Sequence, residues 1–205
     1  RLTTRPARVS KRSTDPAGAA HFALDGPHHA LALRSAPAIV NSIDQIVLMG
    51  GARSEGGNIT ASAEFNIYAD PHAAEIVLGC GAPIVVLGLD ATHQVRPTAA
   101  RIAGLARTNN PSARAASQLF AFGEHVERTL AAREGAPLHD PCVIAYLMAP
   151  HLFETKPCSI AVETASPLTR GHTSVEFRIT APSKVQWAVK VDADGVFDLI
   201  LRRLA

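Results

Sequence analysis

Two rhythms alternate along most of this chain. The stretches "DQIVLMGGA" (44–52) and "APIVVLGL" (82–89) are near-continuous apolar runs broken by glycine, the pattern of strands buried on both faces in a parallel sheet. Helical stretches stand around them. "HHALALRSAPAIVNSI" spaces Leu31, Leu33, Ile39, Val40 and Ile43 loosely at helical intervals, with a break or turn at Pro37. "PHAAEIVLGCG" has Asp70 and Pro71 as an N-cap and first-turn pair and stops at glycine. Pro97 opens a further helix through Arg107, and residues 110–135 supply a longer one with Leu119, Phe122, Val126 and Leu130 on one side. Asp140 and Pro141 repeat the cap signature ahead of an apolar helix ending near Pro150. Three short runs, "CSIAVET", "TSVEFRIT" and "VQWAVKVD", read as strands added antiparallel, and "ADGVFDLILRRLA" closes as an amphipathic helix. The alternation predicts an α/β fold: a doubly wound, mostly parallel sheet with helices on both faces and antiparallel strands near the C-terminus. Ligands of such folds sit beyond the carboxyl ends of the strands, where "MGGA" and "LDATHQ" fall.

Composition narrows the functional classes. At 205 residues and 47% hydrophobic, the chain has material for one sizeable core, and we place that domain at 26–205. Residues 1–25 carry Arg1, Arg5, Arg8, Lys11 and Arg12 before the first acid, Asp15, and show no hydrophobic period, so they read as a basic tail. A net charge of +2 and 5% aromatic residues argue against nucleic acid as a partner. The longest apolar runs fall short of the roughly 20 residues needed to cross a bilayer, so no membrane association is expected. Three cysteines without CxxC spacing indicate neither a disulfide framework nor a zinc site, and a reducing cytoplasm fits them.

One stretch follows neither rhythm. "GNITASAEFNIYADPHAAE" gathers Asn58, Glu64 and Asn66 among apolar residues, which a loop merely crossing solvent does not need. Amides and a carboxylate facing inward suit a small polyhydroxylated ligand, because such a ligand both donates and accepts. Simpler readings stand beside this one. Asn58 after Gly57 is also turn chemistry, Glu64 a solvated acid and Met49 a core residue. His139 alone reads as a surface histidine, Asp140 as a helix cap, and His93 as either a site-edge group or a structural hydrogen-bonding one.

"VLMGGA", "GNITASAEFNIYADPHAAEIV", "LDATHQV", "HDPCVIAYLM" and "VETASPLTRG" come in an order and spacing that resemble the inosine-uridine-preferring nucleoside hydrolase family, over the region from Gly26 to the end. The resemblance implies cleavage of the N-glycosidic bond of purine or pyrimidine ribonucleosides to ribose and free base. It implies that Asn58, Glu64 and Asn66 contact ribose hydroxyls, with Met49 lining the pocket. It makes His139 the proton donor to the leaving base and Asp140 a ligand of a Ca2+ cofactor, to which the His29 main-chain carbonyl can add. Members of the family open with a DxDxxxDD motif that supplies most calcium ligands, and no such motif precedes the match. The expectation is therefore a family fold lacking its N-terminal part, with an incomplete calcium site and an exposed sheet edge that favours a homo-oligomer. "DADGVFD" (192–198) is read as capping and exposed acids rather than a substitute for that motif. The alternative is a non-catalytic relic or a nucleoside- or ribose-binding protein.

Overall fold

The computed structural model describes residues 20–24, 28–131 and 135–204. Residues 1–19 of the expected basic tail lie outside the described residues. The chain forms two compact units, Arg1–Gly88 with Lys156–Trp187, and Leu89–Thr155 with Ala188–Ala205.

In the first unit, strands β1 (Ala20–Leu24), β2 (Ile43–Met49) and β3 (Ile84–Leu87) run parallel, with Ala20 opposite Ile43 and Ile46 opposite Ile84. Strand β7 (Val185–Val191) pairs with β3 in the same direction, Val86 opposite Trp187. Every residue of β3 is buried, as are Ile46–Met49 of β2, which is why both segments are apolar without alternation. Helix α1 (His28–Ser35) and a 3₁₀ turn (Pro37–Ser42) lead into β2, so Pro37 separates two helical pieces as its missing N–H requires. Helices α2 (Phe65–Ala69) and α3 (Pro71–Leu78) follow the glycine-rich end of β2, and α3 packs on α1. Strands β5 (Ser159–Val162) and β6 (Thr173–Glu176) form a separate antiparallel pair.

The second unit is mostly helical. It holds α4 (Leu89–Thr92), α5 (Ala99–Ala106), α6 (Pro111–Val126), α7 (Asp140–Met148) and α8 (Ala193–Leu204). A π-helical turn, Glu127–Ala131, extends α6, and α8 packs against α5, α6 and α7. Strand β4 (Phe153–Pro157) follows α7, and the five-stranded sheet runs in the order β1-β2-β3-β7-β4.

Several expectations are corrected. Ala20–Leu24 is a strand although the sequence there has no period, because its pairing with β2 is set by the partner's backbone. β4 lay within no predicted element. β7 is parallel rather than antiparallel, and Trp187 and Ala188 are buried in it, as a strand between two neighbours requires and an edge addition does not. α5 begins at Ala99 rather than at Pro97, and Thr98 caps it by accepting from the Arg101 N–H. The apolar stripe of α6 does not face a core: Leu119 and Phe122 are 69% and 67% exposed, and the buried residues are Ala113 and Ser117. Asp192 accepts from the Gly195 N–H and Asp194 pairs with Arg101, the capping and surface roles expected of "DADGVFD".

Candidate functional site

In the first unit the chain leaves β2 through Gly50 and Gly51. Gly51 has φ +81°, and a Cβ there would lie 3.0 Å from Thr173 Oγ1 and 3.2 Å from Trp187 Cη2. That conformation and that crowding both demand glycine. Gly88, at the end of β3, is tighter still, with a Cβ position 2.3 Å from Trp187 Cζ2. The turn is held from two sides. The Thr173 hydroxyl accepts from the Ala52 N–H at 2.9 Å and donates to the Ala52 carbonyl at 2.8 Å. Glu64, 2% exposed, accepts from the Gly51 N–H through Oε2 at 3.0 Å.

Glu64 also caps α2. Its Oε1 accepts from the Asn66 N–H at 2.9 Å and its Oε2 from the Ile67 N–H at 3.2 Å. A carboxylate holding three main-chain donors is a rigid element, so it is the brace between the glycine turn and the polar segment. Asn66, half-buried, donates through Nδ2 to the Met49 carbonyl at 3.4 Å and to Met49 Sδ at 3.2 Å. Met49 itself is the buried last residue of β2. Asn58 is exposed, and its Oδ1 accepts from the Phe65 N–H at 2.8 Å. Asn66 Oδ1 and Asn58 Nδ2 have no hydrogen-bond partner among the described residues. The structure therefore brings Met49, Glu64 and Asn66 together, joins Asn58 to the start of α2, and leaves one amide acceptor and one amide donor open for a ligand.

In the second unit His139 and Asp140 begin α7. His139 Nδ1 lies 2.9 Å from the hydroxyl oxygen of Thr92, which is fully buried at the end of α4. The His139 and His93 rings are 5.8 Å apart and tilted. Arg96 donates to the His93 carbonyl at 2.9 Å and to the Gly135 carbonyl at 2.6 Å, and the Leu138 N–H donates to the Val95 carbonyl at 2.8 Å. These contacts fix the approach to α7. Burial lowers the His139 pKa to about 4, helped by the positive potential of His93 and Arg96. The imidazole is therefore neutral at pH 7, not the partly protonated group that its reference value implies. Burial likewise raises the Cys142 thiol to about 12, with Asp140 adding to the shift.

Asp140 is exposed and is the first residue of α7, with no side-chain hydrogen bond or ion pair among the described residues. His29 is the second residue of α1, in its first turn. Calcium takes six to eight oxygens, and among the described residues no three of His, Cys, Asp or Glu converge as a metal-holding group. The described residues do not by themselves fit that ion.

Sequence reasoning missed Thr92 and Thr173. Thr92 stands beside His93 in the polar stretch "LDATHQ", a usable signal, whereas nothing local marks Thr173 as the partner of a turn far upstream.

Parallel strands β1, β2 and β3, with glycines following β2 and β3, define the class as an α/β fold. The particular family follows from comparison. The model of the inosine-uridine preferring nucleoside hydrolases matches residues 28–198, and the chain belongs to that family. It is 42% identical over 179 residues to the pyrimidine-specific ribonucleoside hydrolase RihA of Citrobacter koseri, a match covering 86% of this chain and 57% of that relative. Among solved structures it is similar to a purine-preferring ribonucleoside hydrolase from Gardnerella vaginalis, with a TM-score of 0.81 and 34% identity over 90% of this chain and 60% of that one. A plant nucleoside hydrolase gives a TM-score of 0.81 at 29% identity, over 90% of this chain and 61% of that one. The chain thus spans under two thirds of the length of these relatives. No helix among the described residues is long and apolar enough to cross a membrane.

Proposed function

We propose that this chain is the ribose- and base-handling part of a nucleoside N-ribohydrolase, which releases ribose and a free base from ribonucleosides. What supports this most is the braced wall of the first unit. Glu64 ties the glycine turn to α2, Asn66 is fixed against Met49, and the open Asn66 Oδ1 and Asn58 Nδ2 offer an acceptor and a donor, which suits vicinal hydroxyls. Relatives of both purine and pyrimidine preference are similar to this chain, so the proposed substrate class is ribonucleosides without a fixed base.

The groups divide the work by chemistry. Cleavage of an N-glycosidic bond develops positive charge on the ribosyl group and negative charge on the base. The Asn66 amide oxygen and the Glu64 carboxylate on the ribose side favour the first, and a hydrogen-bond donor at His139 favours the second. In this reading Asp140 would offer one carboxylate to a Ca2+ ion and the His29 main-chain carbonyl would offer another oxygen, and the ion would need further oxygens that no cluster among the described residues provides.

Release of base from inosine and uridine, measured with and without added Ca2+, tests the reading. Turnover that chelation abolishes supports it. Binding of nucleoside without turnover turns the assignment to the binding-protein alternative, and neither binding nor turnover defeats both. Self-assembly belongs to the same proposal, because Leu119 and Phe122 leave an apolar stripe of α6 uncovered. Sedimentation of a well-behaved monomer overturns that part.

A further inference from the structure

We propose that Thr92 is a positioning residue that sets the tautomer of His139, so that the imidazole presents Nε2–H as a neutral hydrogen-bond donor rather than an acceptor. The functional meaning rests on the ribohydrolase reading; the tautomer assignment does not.

Thr92 is fully buried, and the only hydrogen-bond partner of its hydroxyl among the described residues is His139 Nδ1, at 2.9 Å. One of the two atoms must donate. If Nδ1 carried the proton, the threonine O–H would be a buried donor with nowhere to go. An unsatisfied buried donor costs about 1–3 kcal/mol. If the hydroxyl donates, only a lone pair goes unused, which is far cheaper. Nδ1 is then the acceptor, and the single proton of the neutral ring resides on Nε2. That nitrogen has no partner among the described residues.

The backbone makes the arrangement stiff. Thr92 closes α4 in a turn where its own carbonyl accepts from the Val95 N–H at 3.0 Å, and the Leu138 N–H binds the Val95 carbonyl at 2.8 Å. The hydroxyl and the imidazole are thus held by a short, doubly tied path. Threonine is suited to the place because a β-branched side chain has few rotamers, so its hydroxyl keeps one direction.

The consequence for a leaving base is a matter of sign. A ring with Nδ1–H would turn a lone pair at Nε2 toward a departing base that is gaining negative charge, which repels it. A ring with Nε2–H donates a hydrogen bond that strengthens as that charge grows. Thr92 touches no substrate in this scheme; it decides which of these two faces His139 offers.

A long-range proton–nitrogen correlation spectrum of the full nitrogen-15-labelled chain at neutral pH reads the tautomer directly. The wild type is expected to show protonated Nε2 and bare Nδ1 at His139, and Thr92→Ser to show the same. Thr92→Val, which keeps the shape and removes the hydroxyl, is expected to raise the Nδ1–H population severalfold. A protonated Nδ1 in the wild type overturns the proposal, and so does a Thr92→Val spectrum matching the wild type. Should Thr92→Val not fold, the wild-type spectrum decides alone. In turnover assays Thr92→Val should lower kcat about tenfold or more with KM little changed, and Thr92→Ser should restore it; an equal loss in both overturns the positioning role. Absence of turnover in the wild type defeats the ribohydrolase reading and leaves the tautomer result standing on its own.

Discussion

The dipeptide Asp-Pro opens two helices in this chain, and the two copies behave differently. Asp70 has φ −144° and ψ 80°, stands outside α3 as its N-cap, and accepts from the Ala73 N–H at 2.9 Å, with Pro71 in the first turn. Asp140 stands one position further in. The capping position of α7 is taken by His139, already at helical φ −84° and without a side-chain cap bond, so Asp140 begins the helix and its carboxylate satisfies no main-chain donor. A cap needs a non-helical backbone at the acid, and what sets that backbone lies outside the dipeptide. At Asp70 the preceding α2 ends and the chain must turn. At Asp140 the preceding residues are fixed by the Leu138–Val95 bond and by the Thr92–His139 contact. The lesson is that one carboxylate is occupied by the fold and the other is left over by it, although the sequence writes them alike.

The strongest way to sharpen that comparison is to remove a carboxylate more deeply committed than Asp70. Glu64 is 2% exposed and holds the N–H groups of Gly51, Asn66 and Ile67. Glu64→Ala strands three donors, each costing about 1–3 kcal/mol when buried and unmet, so urea unfolding should show a loss of about 3 kcal/mol or more. A loss under about 1 kcal/mol would mean that water or neighbouring groups replace the carboxylate, and that Glu64 is not the brace assigned to it.

His139 gives the next largest effect, and it is a function of pH. Its folded pKa is about 4 against a reference of 6.5, so between those values the unfolded chain binds more protons than the native one. Stability from this group is therefore complete above pH 6.5 and declines as pH falls toward 4. At 1.36 kcal/mol per pKa unit the loss is about 3 kcal/mol. In His139→Gln the unfolding free energy should lose this part of its acid slope. An unchanged slope between pH 6.5 and 4 would show that the imidazole is not held neutral by its surroundings.

These contrasts also show what the sequence could convey. β2, β3 and the cap at Asp70 were legible because burial on both faces leaves an unbroken apolar run, and because a cap bond spans only three residues. β1 and the direction of β7 were not, since pairing depends on a partner strand far along the chain and leaves little local trace. The stripe on α6 was legible as a period but not in its burial, because a period states which residues share a face and not what covers it. Within the candidate site the sequence singled out Asn58, Glu64, Asn66 and His139. It could not say that Glu64 bonds an amide 13 residues away or that His139 meets a threonine 47 residues upstream, because contacts of that separation are made by the tertiary fold.

The two Asp-Pro pairs themselves give the finest test. Asp70→Ala removes a working cap and should cost about 1 kcal/mol. Asp140→Ala removes no hydrogen bond seen among the described residues, only a favourable charge in the first turn of α7, and should cost at most about 0.5 kcal/mol. The order reverses when the readout is Ca2+ response or nucleoside turnover. There Asp140→Ala should abolish the effect and Asp70→Ala should leave it near the wild-type level, because a carboxylate that the fold does not use can be spent on a ligand. Equal stability losses would show that Asp140 has a structural partner after all. Unchanged calcium response in Asp140→Ala would break the contrast on its functional side, leaving two acids that differ in backbone angle and in nothing that matters to a substrate.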